Sequence, residues 1–172
     1  RDLTVHALNT GVPHAVVFVD DLSHVDVTGD GSALRYHEYF APKGTNANFV
    51  GITAPGHITI RTYERGVEDE TLACGTGTVA CAIIHHLLHD TPSPIQVKVR
   101  GGDTLTIGFT RQPDGTFVDV TLTGPGDFVF DARALRLHLA MMMEGLCRAL
   151  GGGRFGFALG LGALAGAVHT SA

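Results

Sequence analysis

A cysteine flanked by small residues stands directly before the most apolar helical segment of the sequence. The run is Ala73-Cys74-Gly75-Thr76-Gly77-Thr78. A cysteine at a helix N-terminus lies near the positive end of the helix dipole, which favours the thiolate over the thiol. The open backbone N–H groups that follow it can bind a carboxylate or a phosphate. The run therefore predicts a base beside an anion-binding site, although a buried structural cysteine in a tight turn would use the same residues.

Three further segments carry polar side chains that could act on a substrate. Tyr63-Glu64-Arg65-Gly66 offers both signs of charge, which can meet the carboxylate and the ammonium of a zwitterion. Asn9-Thr10-Gly11-Val12-Pro13-His14 places a histidine, an acid–base candidate, at the exit of a turn. Gly44-Thr45-Asn46-Ala47-Asn48-Phe49 holds two amides on the same side of an extended chain. Taken singly, each also fits a structural explanation: a solvated charge pair, a histidine that caps a strand, and asparagines in a turn.

The cysteines and the charge narrow the classes of function. Cys81 falls in the middle of the helix and Cys147 in an unusual C-terminal region, so both are interpreted as structural. Three cysteines without the spacing of a metal site or a disulfide framework predict no metal centre and favour a reducing compartment, most simply the cytoplasm. A net charge of -5 without a basic stripe argues against nucleic acid as a partner. The apolar stretch 155–168 is too short and too rich in glycine to predict a membrane span.

The elements that must position these residues follow from hydrophobic periodicity. Thr76 to His89 is apolar nearly all round in its first two turns, which predicts a buried helix. A short second helix is predicted from Leu34 to Phe40. Strands are predicted at 16–19 and 57–63, and hairpins are predicted to turn at 101–103 and 113–115. A sheet wrapped around one central helix, in an α+β fold, accounts for both kinds of signal.

Taken together and in this order, the four polar segments resemble diaminopimelate epimerase. The most specific part is Glu70-Thr71-Leu72-Ala73-Cys74-Gly75-Thr76-Gly77, preceded by the Tyr-Glu-Arg-Gly run, and Leu122-Thr123-Gly124-Pro125 ends the match. The resemblance covers about residues 3 to 131. These residues resemble the C-terminal half of the proteins of this family. It implies two pseudo-symmetric domains, each a mixed, mainly antiparallel β-barrel wrapped around a central helix, with the active site between them.

The resemblance also implies an activity. Members of the family are isomerases that interconvert LL- and meso-diaminopimelate in lysine biosynthesis without a cofactor. Each domain contributes one cysteine, and the two thiols act on opposite faces of the substrate α-carbon. Full-length members are expected to be homodimers.

Carried over residue by residue, the resemblance implies the following site. Cys74 is one of the two catalytic thiols, and His14 and Glu64 match residues thought to tune the thiols. The positions that match substrate-binding residues are Asn46, Glu64, Arg65, Gly75 and Thr76. Val12 departs from the pattern, since many members carry a substrate-contacting asparagine there. No segment matches the first-domain Cys-Gly-Asn run, so the opposing thiol is expected to lie outside these residues and the chain alone to be inactive.

The resemblance and the composition of the chain together predict its domain organisation. Residues 1–131 are expected to form the C-terminal epimerase domain, with 123–131 crossing toward an N-terminal domain. The region 132–172 is rich in glycine, alanine and leucine and is expected to lie outside the fold. Because strand-like sequence follows Arg1 almost at once, the chain is expected to begin within a longer gene product.

Two alternatives remain open at this point. One is a related cofactor-independent isomerase of the proline racemase or phenazine-biosynthesis type, against which the spacing from Tyr-Glu-Arg-Gly to Ala-Cys-Gly-Thr-Gly argues. The other is an inactive, truncated fragment. Assays of diaminopimelate against proline would separate the two enzyme classes.

Overall fold

A computed structural model of the chain describes residues 3–126, which contain eight strands and two α-helices. Two three-residue 3-10 turns lie at Leu22–His24 and Glu38–Phe40. The elements in chain order are β1 His6–Asn9, β2 Pro13–Phe18, α1 Val27–Arg35, β3 Asn46–Ala54, β4 His57–Glu64, β5 Asp69–Thr71, α2 Gly75–His89, β6 Ile95–Lys98, β7 Thr104–Arg111 and β8 Phe117–Thr123.

All eight strands belong to one mixed sheet, in which seven follow the order β1-β2-β3-β4-β6-β7-β8 and β5 pairs with β4 beside this path. The β2–β3 and β4–β6 pairs are parallel, and the other pairs are antiparallel. Two strands pair with the same edge of β4. Its residues 62–64 pair with β5, and its residues 57–59 pair with β6. Within residues 3–126 no ladder joins β1 to β8, so the sheet is an open half-barrel. The predicted class, α+β with a mainly antiparallel sheet, is confirmed.

The two helices lie on opposite faces of the sheet. Successive side chains of a strand point to opposite faces, and Val16 packs with the buried residues of α2 whereas Val17 packs with those of α1. Helix α2 packs against β1 at one end of the strand order and against β8 at the other, so the sheet curls around it. Its buried residues are Gly77, Thr78 and the run from Ala80 to His85. The prediction of one central helix is therefore confirmed, and its start differs by one residue.

The prediction of a helix from Leu34 to Phe40 is wrong. The helix lies earlier, at Val27–Arg35, and only a 3-10 turn forms near Phe40. Two glycines inside α1 weaken its intrinsic helical preference, so tertiary packing determines where it forms. Gly31 is required by that packing, because a Cβ at this position would lie 2.5 Å from Cβ of Tyr63.

A bidentate ion pair anchors the segment that leads to α2. Arg61 on β4 donates from Nε and Nη2 to the two carboxylate oxygens of Glu70 on β5, both at 2.7 Å. Its Nη1 donates to the Leu22 carbonyl at 3.0 Å. Glu70 opens the most specific motif of the sequence, and here it holds β5 against β4 so that the chain reaches Cys74 in a defined place.

The last hairpin is irregular. The β7–β8 ladder shifts register between Gly108 and Thr110, opposite Asp119. Asp119 has a φ of 52°, in the left-handed region that aspartate tolerates better than most residues. Strand β8 therefore carries a bulge, and within residues 3–126 its outer edge has no partner strand.

Two predictions fall on the rest of the chain. The expected tail, 132–172, and most of the expected crossing segment lie outside the described residues, so the domain boundaries stay predictions. Among residues 3–126, no helix has both the length and the apolar character needed to cross a membrane.

Candidate active site

Polar side chains gather at one end of the sheet, on the face that α2 covers. His14 at the start of β2 is in register with Asn46 at the start of β3, and Asn48 is in register with Thr62 near the end of β4. The parallel strands β2 and β3 start where the antiparallel strand β4 ends. Because Val16 and Val50 pack against α2, alternation turns His14, Asn46 and Asn48 toward the same helix. Glu64 lies two residues after Thr62 on β4, so alternation places its side chain on the face that α2 covers.

Cys74 lies immediately before α2, as the N-cap residue with extended backbone angles. Within residues 3–126, no side chain caps this helix end. The first helical hydrogen bond runs from the Thr78 N–H to the Cys74 carbonyl at 2.8 Å. The N–H groups of Gly75, Thr76 and Gly77 therefore precede the helical ladder and can bind an anion. Cys74 is 7% exposed, so its thiol is largely shielded from water.

A chain of polar contacts runs from Cys74 into the sheet. The sulfur lies 3.7 Å from the Thr76 hydroxyl, which lies 3.1 Å from Nε2 of His14. His14 is fully buried, and its Nδ1 lies 3.3 Å from the amide nitrogen of Asn48. Thr10 donates to the Thr76 carbonyl at 3.0 Å and ties the turn before β2 to the same helix end. The predicted residues Cys74, Thr76 and His14 are thus brought together.

Gly77 lets these groups meet. A Cβ at this position would lie 2.5 Å from Oδ1 of Asn48 and 3.3 Å from both the Cys74 sulfur and Cε1 of His14. Only a residue without a side chain allows the first turn of α2 to approach the polar end of the sheet this closely.

Asn46 and Arg65 form a second group at the same strand ends. The Arg65 N–H donates to Oδ1 of Asn46 at 2.8 Å, and the Asn46 amide donates to the Pro13 carbonyl at 3.3 Å. Glu64 closes the turn after β4, since its carbonyl accepts from the Glu68 N–H at 2.8 Å. Within residues 3–126 no hydrogen bond or ion pair engages the Glu64 carboxylate. Within residues 3–126, none of these three side chains hydrogen-bonds the Cys74 sulfur, whose one such contact is with the Thr76 hydroxyl.

Burial and charge set the ionisation of two groups. Burial, and secondly the charge of Arg65, lowers the pKa of His14 to about 4. The imidazole is therefore neutral at pH 7. Complete burial, and secondly the charge of Cys74, raises the pKa of Cys81 far above the usual range for a thiol. Cys81 therefore stays protonated and is inaccessible, as expected for a structural cysteine.

The structure also assigns contacts that sequence reasoning did not. Thr62 donates its hydroxyl hydrogen to Oδ1 of Asn48 at 3.0 Å, and both residues are buried. The amides at positions 46 and 48 face the same side of β3, as the sequence predicts, but the sequence predicts a site role for Asn46 alone. The pairing of β2 with β3 brings Asn48 to His14, and no local pattern announces a parallel pair across 27 intervening residues.

We expect Cys74 to be the reactive thiol of the described region. At neutral pH iodoacetamide should modify Cys74 at least about tenfold faster than Cys81, because Cys81 is fully buried with a raised pKa. Mass spectrometry of tryptic peptides over a time course measures both rates in one sample. Denatured protein, in which the two should react alike, is the control. Equal, slow labelling of the native chain would contradict the assignment.

Metal ligands are not clustered in this region. Within residues 3–126 no group of three or more His, Cys, Asp or Glu side chains could hold a metal ion. The expectation of a reaction without metal or cofactor stays a prediction.

An open half-barrel around a helix that begins at a cysteine is the arrangement expected for one domain of a cysteine-dependent amino-acid epimerase. The comparison with family models agrees, since the model for diaminopimelate epimerase matches residues 6–122. The chain belongs to the diaminopimelate epimerase family.

Individual relatives give the extent of the match. A protein of Chlorobaculum tepidum named diaminopimelate epimerase is 47% identical over 126 residues, which cover 73% of this chain and 48% of that protein. A protein of the same name from Hydrogenobaculum sp. is 52% identical over 129 residues, covering 73% and 44%. The chain thus spans about half the length of the curated relatives it matches.

Solved structures give a weaker likeness. The Bacillus anthracis phenazine biosynthesis protein of the PhzF family matches with a TM-score of 0.44 and 19% identity, over 67% of this chain and 37% of that one. A likeness at this level lends no support to the phenazine-biosynthesis alternative.

Proposed function

We propose that this domain supplies one of the two thiols of a diaminopimelate epimerase, an isomerase of lysine biosynthesis that interconverts the LL and meso forms without a cofactor. The observation that carries the proposal is the position of Cys74. It stands at an uncapped helix N-terminus and is linked through the Thr76 hydroxyl to a buried, neutral His14. Membership of the family supports the choice of substrate.

The chemistry explains why a thiol belongs at a helix end. Removing the α-proton of an amino acid that keeps its ammonium group develops negative charge on the α-carbon and its carboxylate. Without an imine-forming cofactor, preorganised donors must stabilise that charge. The N–H groups of Gly75, Thr76 and Gly77 are such donors, and a substrate carboxylate bound to them would bring the α-carbon beside the Cys74 sulfur.

The second group of polar residues supports the binding of a zwitterion. Asn46, Glu64 and Arg65 lie at the neighbouring ends of β3 and β4 and offer an amide, a carboxylate and a guanidinium. Diaminopimelate carries an ammonium and a carboxylate at each end, so it presents a partner to each of these groups. We propose that they hold the substrate while Cys74 acts on one α-carbon.

Inversion requires an acid on the opposite face of that carbon. A single group tends to return the proton to the face from which it came. Cys81 is fully buried and its pKa is raised, so it does not serve. We propose that the second thiol comes from the half of the family's fold that this chain does not match. Thiols that must stay reduced suit a cytoplasmic enzyme, and homodimerisation stays a prediction.

The experiment is a chimera in which the matched half of the Chlorobaculum tepidum relative is replaced by the corresponding residues of this chain. We expect the chimera to convert LL- into meso-diaminopimelate and to leave L-proline unchanged. Cys74→Ser in the chimera should lower the rate at least about 100-fold, because the loss of a positioned acid or base costs about 10²–10⁴ in rate. Chiral chromatography of the products measures the conversion of diaminopimelate, the absence of change in L-proline and the rate of the Cys74→Ser variant.

Two outcomes would refute the proposal. One is a folded chimera, judged by circular dichroism, that is inactive on diaminopimelate or that racemises proline instead. The other is a Cys74→Ser chimera that keeps its full rate. Cys81→Ala is the matched control, since it removes a thiol of the same helix and should leave the chemistry intact wherever the protein folds.

A further inference from the structure

Asn48 is bound on three sides by groups that fix its orientation. Its Nδ2 lies 3.0 Å from the Ala15 carbonyl, and its Oδ1 accepts the Thr62 hydroxyl at 3.0 Å. A carbonyl oxygen can only accept, so the end of the amide that faces Ala15 must be the NH2 group. The same NH2 group lies 3.3 Å from Nδ1 of His14. Asn48 is fully buried, so these contacts are shielded from bulk solvent.

The orientation of Asn48 determines the tautomer of His14. An amide NH2 group donates and does not accept, so Nδ1 of His14 must be the bare nitrogen. The ring proton of the neutral imidazole then lies on Nε2. From there it is donated to the Thr76 hydroxyl oxygen at 3.1 Å. The lowered pKa of His14 agrees with a ring that carries one proton only at pH 7.

The tautomer in turn affects Cys74. The Thr76 hydroxyl has a single hydrogen, and because its oxygen accepts from His14, that hydrogen is free to point at the Cys74 sulfur 3.7 Å away. A donor aimed at the sulfur stabilises the thiolate. With the proton on Nδ1 instead, Nε2 would accept the hydroxyl hydrogen and the sulfur would lose its donor.

We infer that Asn48 is a positioning residue that holds His14 in the Nε2–H tautomer and thereby directs the Thr76 hydroxyl hydrogen at the Cys74 sulfur. Asn48 acts through its neighbours and touches neither the sulfur nor, in the proposed reaction, the substrate. The inference rests on the proposed function for its catalytic meaning. The tautomer itself is a property of the free protein and can be measured without a substrate.

The first test is nitrogen-15 NMR of the histidine side chains in the 172-residue chain at pH 7.5. The His14 signals are assigned by their loss in His14→Gln. We expect a bare Nδ1 and a protonated Nε2. An Nδ1–H tautomer, or an imidazolium, would overturn the inference without any variant of Asn48.

The second test exchanges the donor for an acceptor. Asn48→Asp is nearly isosteric, and its carboxylate should take the ring proton onto Nδ1 of His14. At pH 8.5 the alkylation of Cys74 should then slow by about two- to tenfold, the effect of one hydrogen bond. A tautomer and a rate both unchanged in the folded variant would count against a positioning role, because simple space filling predicts that result.

A further pair of variants applies if Asn48→Asp does not fold. Thr76→Val removes the hydroxyl that links His14 to the sulfur and should slow alkylation by a similar factor, whereas Thr76→Ser keeps the hydroxyl and should restore the rate. Equal rates in the two variants would overturn the inference. All of these readouts are independent of diaminopimelate. An inactive chimera with the expected tautomer would therefore refute the proposed function alone.

Discussion

A polypeptide of these 172 residues is expected to form no meso-diaminopimelate from the LL isomer above background, whereas the chimera is expected to form it readily. The physical reason is stereochemical. A thiol on one face of the α-carbon can remove a proton and return it, but inversion needs an acid on the other face. We expect the difference in rate to be at least about 10²–10⁴-fold, the usual contribution of one positioned acid.

The measurement is made in deuterated water and follows two products at once. Mass spectrometry reports deuterium at the α-carbon, and chiral chromatography reports the meso isomer. Slow exchange of deuterium without inversion would be the signature of a single working thiol, and Cys74→Ser should abolish it. Rapid formation of the meso isomer by the chain alone would show that the second acid lies within it and would refute the two-domain argument.

The second large effect is expected from one methyl group in the first turn of α2. Gly77→Ala places a Cβ 2.5 Å from Oδ1 of Asn48, so Asn48, His14 or the helix must move. We expect a net loss of about 1–2 kcal/mol in the free energy of unfolding, since overpacking costs about 1–3 kcal/mol and the lost freedom of glycine returns part of it. In the chimera the epimerisation rate should fall by more than tenfold, because the same movement displaces the neighbours of Cys74.

Gly75→Ala is the matched control. It makes the same chemical change two residues earlier, but the nearest atom to its Cβ is Cδ1 of Leu122 at 3.6 Å, an ordinary contact. Its free energy of unfolding should stay level or rise by about 0.4–1 kcal/mol. Urea denaturation of both variants gives the comparison. Equal stabilities would mean that the close approach at Gly77 is easily relieved.

The parts of the fold with strong local signals could be predicted from the sequence. Helix α2 carries a dense apolar run, and the turns at 101–103 and 113–115 carry glycine or proline between alternating strands, so their positions were confirmed to within a residue or two. Helix α1 could not be placed, because the segment Val27–Arg35 has two glycines and buries only Val27, Gly31 and Leu34. Its helical state depends on packing against β3 and β4, which a local pattern does not contain.

The candidate site likewise has a part that could be predicted from the sequence and a part that could not. The position of Cys74 before α2 was predictable, because the glycines and the apolar run together indicate a helix start. The contacts of His14 with Thr76 and Asn48 were not, because they depend on the parallel pairing of β2 with β3 and on the packing of α2 against β2, and these partners are far apart in the chain. Whether Glu64 and Arg65 bind substrate stays a prediction that the chimera can test.

The bulge at Asp119 bears on how this domain behaves when it is made by itself. Within residues 3–126, strand β8 forms an outer edge of the sheet, and Val118 and Val120 on it are exposed. A flat apolar edge strand can pair with the edge of another molecule and start aggregation. A bulged strand with a charged residue at its bend is a poor template for such pairing. The irregular ladder is therefore expected to disfavour edge-to-edge association of the described part of the chain.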